Sequence, residues 1–348
     1  MKNLIDKIYS GGRLSIDDAV TLYQSCSLLE LAQLANYRKM QLYDNQVFYI
    51  INQHINYSNI CSIRCPLCAF SKAENDKLAY MLSPEAITQT ACNDVKEFHI
   101  VGGVNNQLSL SYFTTLFHSL KEKCPDASIK ALTPVEIDFL THKENKSSKE
   151  ILLALKNAGL NTMPGGGAEI FNPAVRNIIC PDKISGERWL HIMKEAHLGG
   201  IPTNATMLYG HIETIDDRIE HMCRIRNLQD ETNGFLAFVP LAFHPPHTRF
   251  NHLPGTTAFD DLKTIAIARL FLDNIPHIKA YWITLSPKLT QLSLFFGADD
   301  IDGTIKEEHI FHAAGSQTSR ALTVQQISTL IQQAAKIPVQ RDSLYNIV

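Results

Sequence analysis

Three thiols within eight residues are the most chemically pointed feature of this chain: Cys61-Ser62-Ile63-Arg64-Cys65-Pro66-Leu67-Cys68 sets them in a C-x3-C-x2-C array. Soft sulfur donors so close together can wrap one compact ion or cluster. A structural zinc site would need a fourth protein ligand. No second C-x2-C occurs, and none of the other five cysteines is near in sequence. His54 is a conceivable fourth ligand, but it belongs to a strand. Three readings stand: thiols that merely lie close, a zinc site, or a cube of four irons with one iron left open. The tight spacing favours the cube, whose open iron a small molecule could chelate.

Other groups with chemical potential recur at the ends of apolar segments. His99-Ile100-Val101-Gly102-Gly103 closes one strand candidate on two glycines, which let backbone approach a ligand. Met163-Pro164-Gly165-Gly166-Gly167-Ala168-Glu169-Ile170 places three glycines beside an acid. Such a run is entropically costly unless close approach requires it. Glu169 is a candidate for ribose hydroxyls or for the substrate pocket, and Arg176 for a carboxylate of cofactor or substrate. In Pro202–His211 the polar Asn204 and Thr206 share one strand face with Leu208, and such groups pointing inward require partners. His211 at the end of that strand is an acid–base or carboxylate-binding candidate. His244 in Phe243-His244-Pro245 and Glu136 in Thr133-Pro134-Val135-Glu136 are placed alike. Polar groups at five strand ends point to one pocket.

These groups need a scaffold that delivers strand ends to one place. Residues 1–45 read as helical: Ser15 caps a helix with Asp17 and Asp18 in its first turn, and Leu28, Leu31, Leu34 and Ala35 follow at helical spacing. Strand candidates come next: Val47–Tyr57, Glu97–Val101, Ser128–Thr133, Leu160–Met163, Pro202–Leu208, Phe235–Val239 and Lys279–Leu285. Helical patterns alternate with them at Pro84–Val95, Leu110–Lys123, Glu150–Ala158, Glu187–Gly199, Ile215–Asp230 and Thr257–Asn274, with Gly159 and Gly199-Gly200 as stop signals. Such alternation implies a parallel sheet with crossover helices. Six or seven units suggest an α/β fold of the (β/α) TIM-barrel type, complete or nearly so; an open doubly wound sheet is the runner-up. The expected organisation is a helical segment over 1–45, a barrel core over 46–300 and a C-terminal extension over 301–348.

Composition narrows the function classes. With 348 residues, 45% of them apolar, the chain suits a folded protein with a substantial core. Thirty-two basic residues face 35 acidic ones, for a net charge of −3, and no basic patch appears; nucleic acid is not an expected partner. The N-terminus Met1-Lys2-Asn3-Leu4-Ile5-Asp6-Lys7 is broken by charges before any signal-like apolar region forms. The most apolar stretch, Phe235–Phe243, is far short of the ~20 residues a membrane span needs. A cytoplasmic setting is expected, with the remaining cysteines as structural thiols.

The triplet, placed after the first barrel strand, resembles that of the radical S-adenosylmethionine superfamily. There it holds a 4Fe–4S cluster whose fourth iron is chelated by the methionine amino and carboxylate groups. The resemblance implies Cys61, Cys65 and Cys68 as cluster ligands. It also implies Gly102 and Gly103 presenting backbone to the methionine amino group, with Glu136, Glu169, Arg176, Asn204, Thr206 and Phe70 around the cofactor. Leu67 stands where the superfamily usually has an aromatic, and Phe70 is a candidate to replace it. The strings HIVGG, KALTPVEI, MPGGGAEIF, TNATMLYGH, PLAFHP and GADDIDGTI resemble, in order, those of the aminofutalosine synthase family, from about residue 12 to about 315. One departure is His247, where that family leads one to expect asparagine. The resemblance implies that S-adenosylmethionine is consumed as a co-substrate. Its 5′-deoxyadenosyl radical would add to the enol ether of 3-(1-carboxyvinyloxy)benzoate and give 6-amino-6-deoxyfutalosine, bicarbonate and methionine for menaquinone biosynthesis. Glu169, His211 and His244 are then the catalytic candidates, Arg176 and the two histidines hold carboxylates, and flavodoxin or ferredoxin supplies electrons. The sister cyclic dehypoxanthinylfutalosine synthases are the alternative.

Overall fold

A computed structural model describes residues 1–348. Three helices, Lys2–Tyr9, Ile16–Ser25 and Leu28–Tyr43, open the chain. Ser15 and Asp18 close a capping box on the second, and Ser27 and Glu30 on the third, so side chains satisfy their free N-terminal amides. The strands follow: β1 Gln46–Ile50, β2 Asn52–Ile55, β3 Glu97–Ile100, β4 Ser128–Ala131, β5 Leu160–Thr162, β6 Thr203–Tyr209, β7 Phe235–Ala242, β8 His277–Ile278, β9 Asp300–Gly303 and β10 Ile337–Gln340.

All ladders between these strands are parallel, in the orders β10-β1-β9, β2-β3-β4-β5 and β6-β7-β8. Single parallel bridges carry the order across the seams, Met163 to Thr203 from β5 to β6 and Lys279 to Asp300 from β8 to β9. The sequence of neighbours therefore runs from β1 and β2 round to β9 and back to β1, with crossover helices between, as in a β/α barrel. Glycines stop the crossover helices as expected: Gly159 and Gly200 both take positive φ, open to glycine without a Cβ clash.

Several boundaries differ from expectation. Val47–Tyr57 is two strands: β1 pairs with β9 and β10 and β2 pairs with β3, the partners changing at Ile51. Lys279–Leu285 is not a strand. Its strand is the short β8 just before, and Trp282–Leu285 forms a helical turn, with the Trp282 indole N–H donating to the Gly303 carbonyl at 2.9 Å. Short apolar runs carry no period that separates a buried turn from a strand. Pro84–Val95 is helical only to Thr90, because the Cys92 amide turns to donate to Gln53 Oε1. β9 straddles the expected boundary at residue 300, and β10 joins the sheet from within the C-terminal segment. No helix is long and apolar enough to cross a membrane.

Candidate active site

A cavity of about 310 Å³ lies among the ends of the strands, within the ~300–1,000 Å³ usual for small-molecule sites. Cys61, Cys65 and Cys68 all lie on its wall, in the loop that leaves β2. Burial pushes the Cys65 thiol up to about 12 and raises Cys68 as well, since a buried thiolate lacks solvation. No three His, Cys, Asp or Glu side chains, the three cysteines included, converge on one point; what speaks for a cluster rather than zinc is the donor set and its spacing. Three soft sulfurs on a cavity wall, without a fourth protein ligand, suit an iron–sulfur cube with one free corner.

Gly102 and Gly103 lie on the same wall, but their amides are taken. Gly102 N–H donates to Glu136 Oε1 at 3.2 Å and Gly103 N–H to the Ser58 carbonyl at 2.7 Å. A Cβ on Gly103 would sit 2.2 Å from the Ile60 carbonyl oxygen. Both residues are therefore glycine because their own chain passes close by. Glu136 borders the cavity as a brace: it also accepts from Tyr57 Oη at 2.5 Å and the Thr133 amide at 2.6 Å. Burial raises its carboxyl above the usual range.

The triple-glycine loop lies against β6. A Cβ on Gly165 would come within 2.6 Å of the Thr206 amide, and one on Gly167, at φ +85°, within 2.4 Å of Val135. Thr206 Oγ1 donates to the Gly165 carbonyl at 2.6 Å, and the Leu208 amide donates to the Glu169 carbonyl at 2.9 Å. Asn204, Thr206 and Leu208 all face the cavity, as their alternation required. Glu169, at φ +47°, lies on the wall paired with Lys183 Nζ at 2.5 Å. Burial alone would raise its carboxyl; the Lys183 ammonium outweighs that and holds it below its ordinary value. Phe70 also lines the cavity, edge-on to Tyr80. His244 lines it too and donates from Nε2 to the Thr284 carbonyl at 3.0 Å.

Two candidates are not on the cavity wall. The Arg176 guanidinium is spent on backbone carbonyls: Gly167 at 3.3 Å, Ala168 at 2.5 Å, Ile170 at 3.0 Å, and Ile184. With those donors engaged it clamps the glycine–glutamate loop from behind the cavity wall. His211 is buried between the Leu208 carbonyl, 3.1 Å from Nε2, and Glu213 Oε2, 2.8 Å from Nδ1. The chain turns at Gly210, φ +87°, just before the residue expected to reach the pocket.

Sequence reasoning missed Lys183, His99, Lys279, Tyr281, Asp302 and Glu308, which all border the cavity. His99 stacks on His54 with ring centroids 4.4 Å apart, and burial lowers both imidazoles, so both are neutral near pH 7. Lys279 pairs with Asp302 at 3.2 Å. The alternation of polar and apolar residues in Lys279-Ala280-Tyr281 is a signal, but the strand expected over Lys279–Leu285 is displaced from the short β8 that precedes it.

Comparison with known proteins adds to this geometry. Residues 55–224 match the radical SAM superfamily, and residues 232–348 match the CofH/MqnC C-terminal region. An aminodeoxyfutalosine synthase of Thermus thermophilus is 42% identical over 98% of this chain and 94% of its own length. A 5-amino-6-(D-ribitylamino)uracil–L-tyrosine 4-hydroxyphenyl transferase of Methanopyrus kandleri is 35% identical over 98% of this chain and 95% of its own. A cyclic dehypoxanthine futalosine synthase of Halalkalibacterium halodurans is 35% identical over 99% of this chain and 94% of its own. Among solved structures, methylornithine synthase superposes with a TM-score of 0.76 at 19% identity, covering 96% of this chain and 97% of that one.

Proposed function

The chain belongs to the radical S-adenosylmethionine superfamily, in the family of the aminodeoxyfutalosine synthases, and we propose on that footing that it makes aminodeoxyfutalosine. It is a radical enzyme that uses a 4Fe–4S cluster and S-adenosylmethionine. The reaction joins the 5′-deoxyadenosyl group to the enol ether of 3-(1-carboxyvinyloxy)benzoate, with loss of bicarbonate and release of methionine. The observation that carries this reading is 42% identity to a synthase along nearly the whole chain. The cavity that gathers three thiols, two glycine loops and a buried Glu–Lys pair is in keeping with it.

Cys61, Cys65 and Cys68 would hold the cluster, which when bound would supply the electron for reductive cleavage of S-adenosylmethionine. The Gly102–Gly103 turn, fixed from behind by Glu136, offers carbonyl oxygens to the methionine ammonium. Lys183 and Glu169 give the cofactor a cation and an anion side by side, for its carboxylate and its ribose hydroxyls. Asn204 and Thr206 fix the nucleoside on the β6 side. His244 and the neutral His54–His99 stack contact the substrate. Apolar walls such as Leu208, Val239, Leu241 and Phe243 keep water and stray hydrogen donors from the reacting carbon, and holding the vinyl group near C5′ is a positioning task. The enzyme works in the cytoplasm with flavodoxin or ferredoxin as reductant.

The test is anaerobic incubation of reconstituted, reduced protein with S-adenosylmethionine and the enol-ether benzoate, followed by mass spectrometry. Aminodeoxyfutalosine and methionine in equal amounts are expected. Methionine accompanied by 5′-deoxyadenosine, with no adduct, would mean hydrogen abstraction and would overturn the reading in favour of a cyclase-type reaction.

A further inference from the structure

A second recess, about 250 Å³, adjoins the cysteine loop. Cys65, Cys68 and Ser71 border both it and the active-site cavity, so the two spaces adjoin at this loop. Arg64, Arg249 and His247 line the recess, and no carboxylate does. All three are exposed. Neither arginine makes an ion pair, whereas Arg13, Arg188, Arg218, Arg224 and Arg269 each reach an Asp or Glu. In a chain of net charge −3, two unpaired arginines at one opening are a local inversion of sign. The surface is also preformed. The Arg249 amide donates to the Pro66 carbonyl at 3.1 Å, tying the 244–252 loop to the cysteine loop. His247 Nδ1 lies 2.8 Å from the Ala313 carbonyl. Arg64 stands at φ +49°, a left-handed position that few non-glycine residues take.

We propose that this arginine-lined recess is where the electron donor docks, and that the donor is a small acidic carrier protein with an exposed flavin. The inference rests on the reading that Cys61, Cys65 and Cys68 hold a redox cluster. Unpaired cations around a concave opening attract an acidic surface and orient it during encounter. A recess of this size admits a projecting ring edge, which brings a flavin to within one loop of the sulfur ligands. In the transfer, an anionic flavin hydroquinone gives up one electron and becomes the neutral semiquinone. The oxidised cluster gains that electron, and no bond or proton is exchanged.

The test compares reconstituted parent enzyme with Arg249→Glu and with the double variant Arg64→Gln/Arg249→Glu. Binding of a bacterial flavodoxin is measured by calorimetry at several salt concentrations, beside iron content and dithionite-driven turnover, which needs no docked protein. The expected result is a Kd raised at least tenfold and a shallower dependence of log Kd on log salt, with iron content and dithionite-driven turnover unchanged. An unchanged Kd and salt slope overturns the proposal. Equal loss of iron or of dithionite-driven turnover also overturns it, because the arginines would then serve the cluster itself. If the charge change weakens a ferredoxin but not the flavodoxin, the flavin assignment falls. A parent protein that takes up no iron would remove the premise. Loss of docking in an enzyme that makes a different product would leave this proposal standing and refute the proposed function alone.

Discussion

Replacing Lys183 by methionine removes the cation that neutralises Glu169 inside the cavity wall, where each side chain is only 13% exposed. Breaking one partner of a buried pair leaves an uncompensated charge and costs ~3–5 kcal/mol. At an unfolding entropy of about 2.1 cal/mol/K per residue, a chain of 348 residues loses roughly 4–7 °C in Tm for that cost. The pH dependence has a definite sign. In the parent the folded carboxyl titrates below its ordinary value, so the pair stabilises fully above the unfolded value of about 4.3 and the benefit is lost as pH falls through the folded one. In Lys183→Met burial dominates and raises the carboxyl. The variant's deficit is therefore greatest at neutral pH and shrinks towards pH 4. Thermal unfolding of metal-free protein at pH 7.5 and pH 5, with Glu169→Gln and the double variant completing a cycle, measures the coupling. The double variant should be more stable than the sum of the single effects predicts. Strict additivity, or an unchanged Tm in Lys183→Met, would refute a buried interacting pair. On the same reasoning Glu169→Gln keeps the cluster and loses turnover; unaltered turnover and cofactor affinity would make Glu169 a bystander.

Alanine at any one of Cys61, Cys65 or Cys68 should abolish cluster assembly, read as iron per chain and visible absorbance; full iron and turnover in any of the three would refute that ligand. Gly165→Ala should cost ~1–3 kcal/mol as an overpacked contact, since its Cβ meets β6 backbone 2.6 Å from the Thr206 amide, and a Tm equal to the parent's would show the loop free to shift. Glu213 is buried, which alone would raise its carboxyl, but His211, Arg218 and the Gly210 amide hold it near 2. Its stabilisation, ~3 kcal/mol at 1.36 kcal/mol per pKa unit, is present above about pH 4.3 and lost as pH falls towards 2. Glu213→Gln should accordingly flatten the acid limb of the stability curve measured by urea titration, and an unchanged limb would refute the assignment. Arg176→Met should lower Tm and cofactor affinity together. A variant with normal Tm and only a raised KM for the enol-ether benzoate would return Arg176 to the substrate pocket.

Spacing along the chain determined a good deal on its own. The cysteine triplet, the strand–helix alternation, the stop glycines and the inward face of Asn204, Thr206 and Leu208 are local patterns, because ligand reach and side-chain alternation act over a few residues. Tertiary structure decided which polar residues are free to meet a ligand. Arg176 and His211 have the right chemistry, and His211 follows a strand end, yet backbone carbonyls and Glu213 engage them. Glu136 and both Gly102 and Gly103 face the cavity but are committed to holding each other and Ser58. Lys183 and Lys279 enter the site through partners 14 and 23 residues away, and no local period encodes such a meeting. The extra strands β9 and β10 belong to the same class: a two- to five-residue run has too little pattern to declare itself. Its pairing is set by neighbours brought in from more than 200 residues off, and a buried donor or acceptor is known to be occupied only when the rest of the fold is in place.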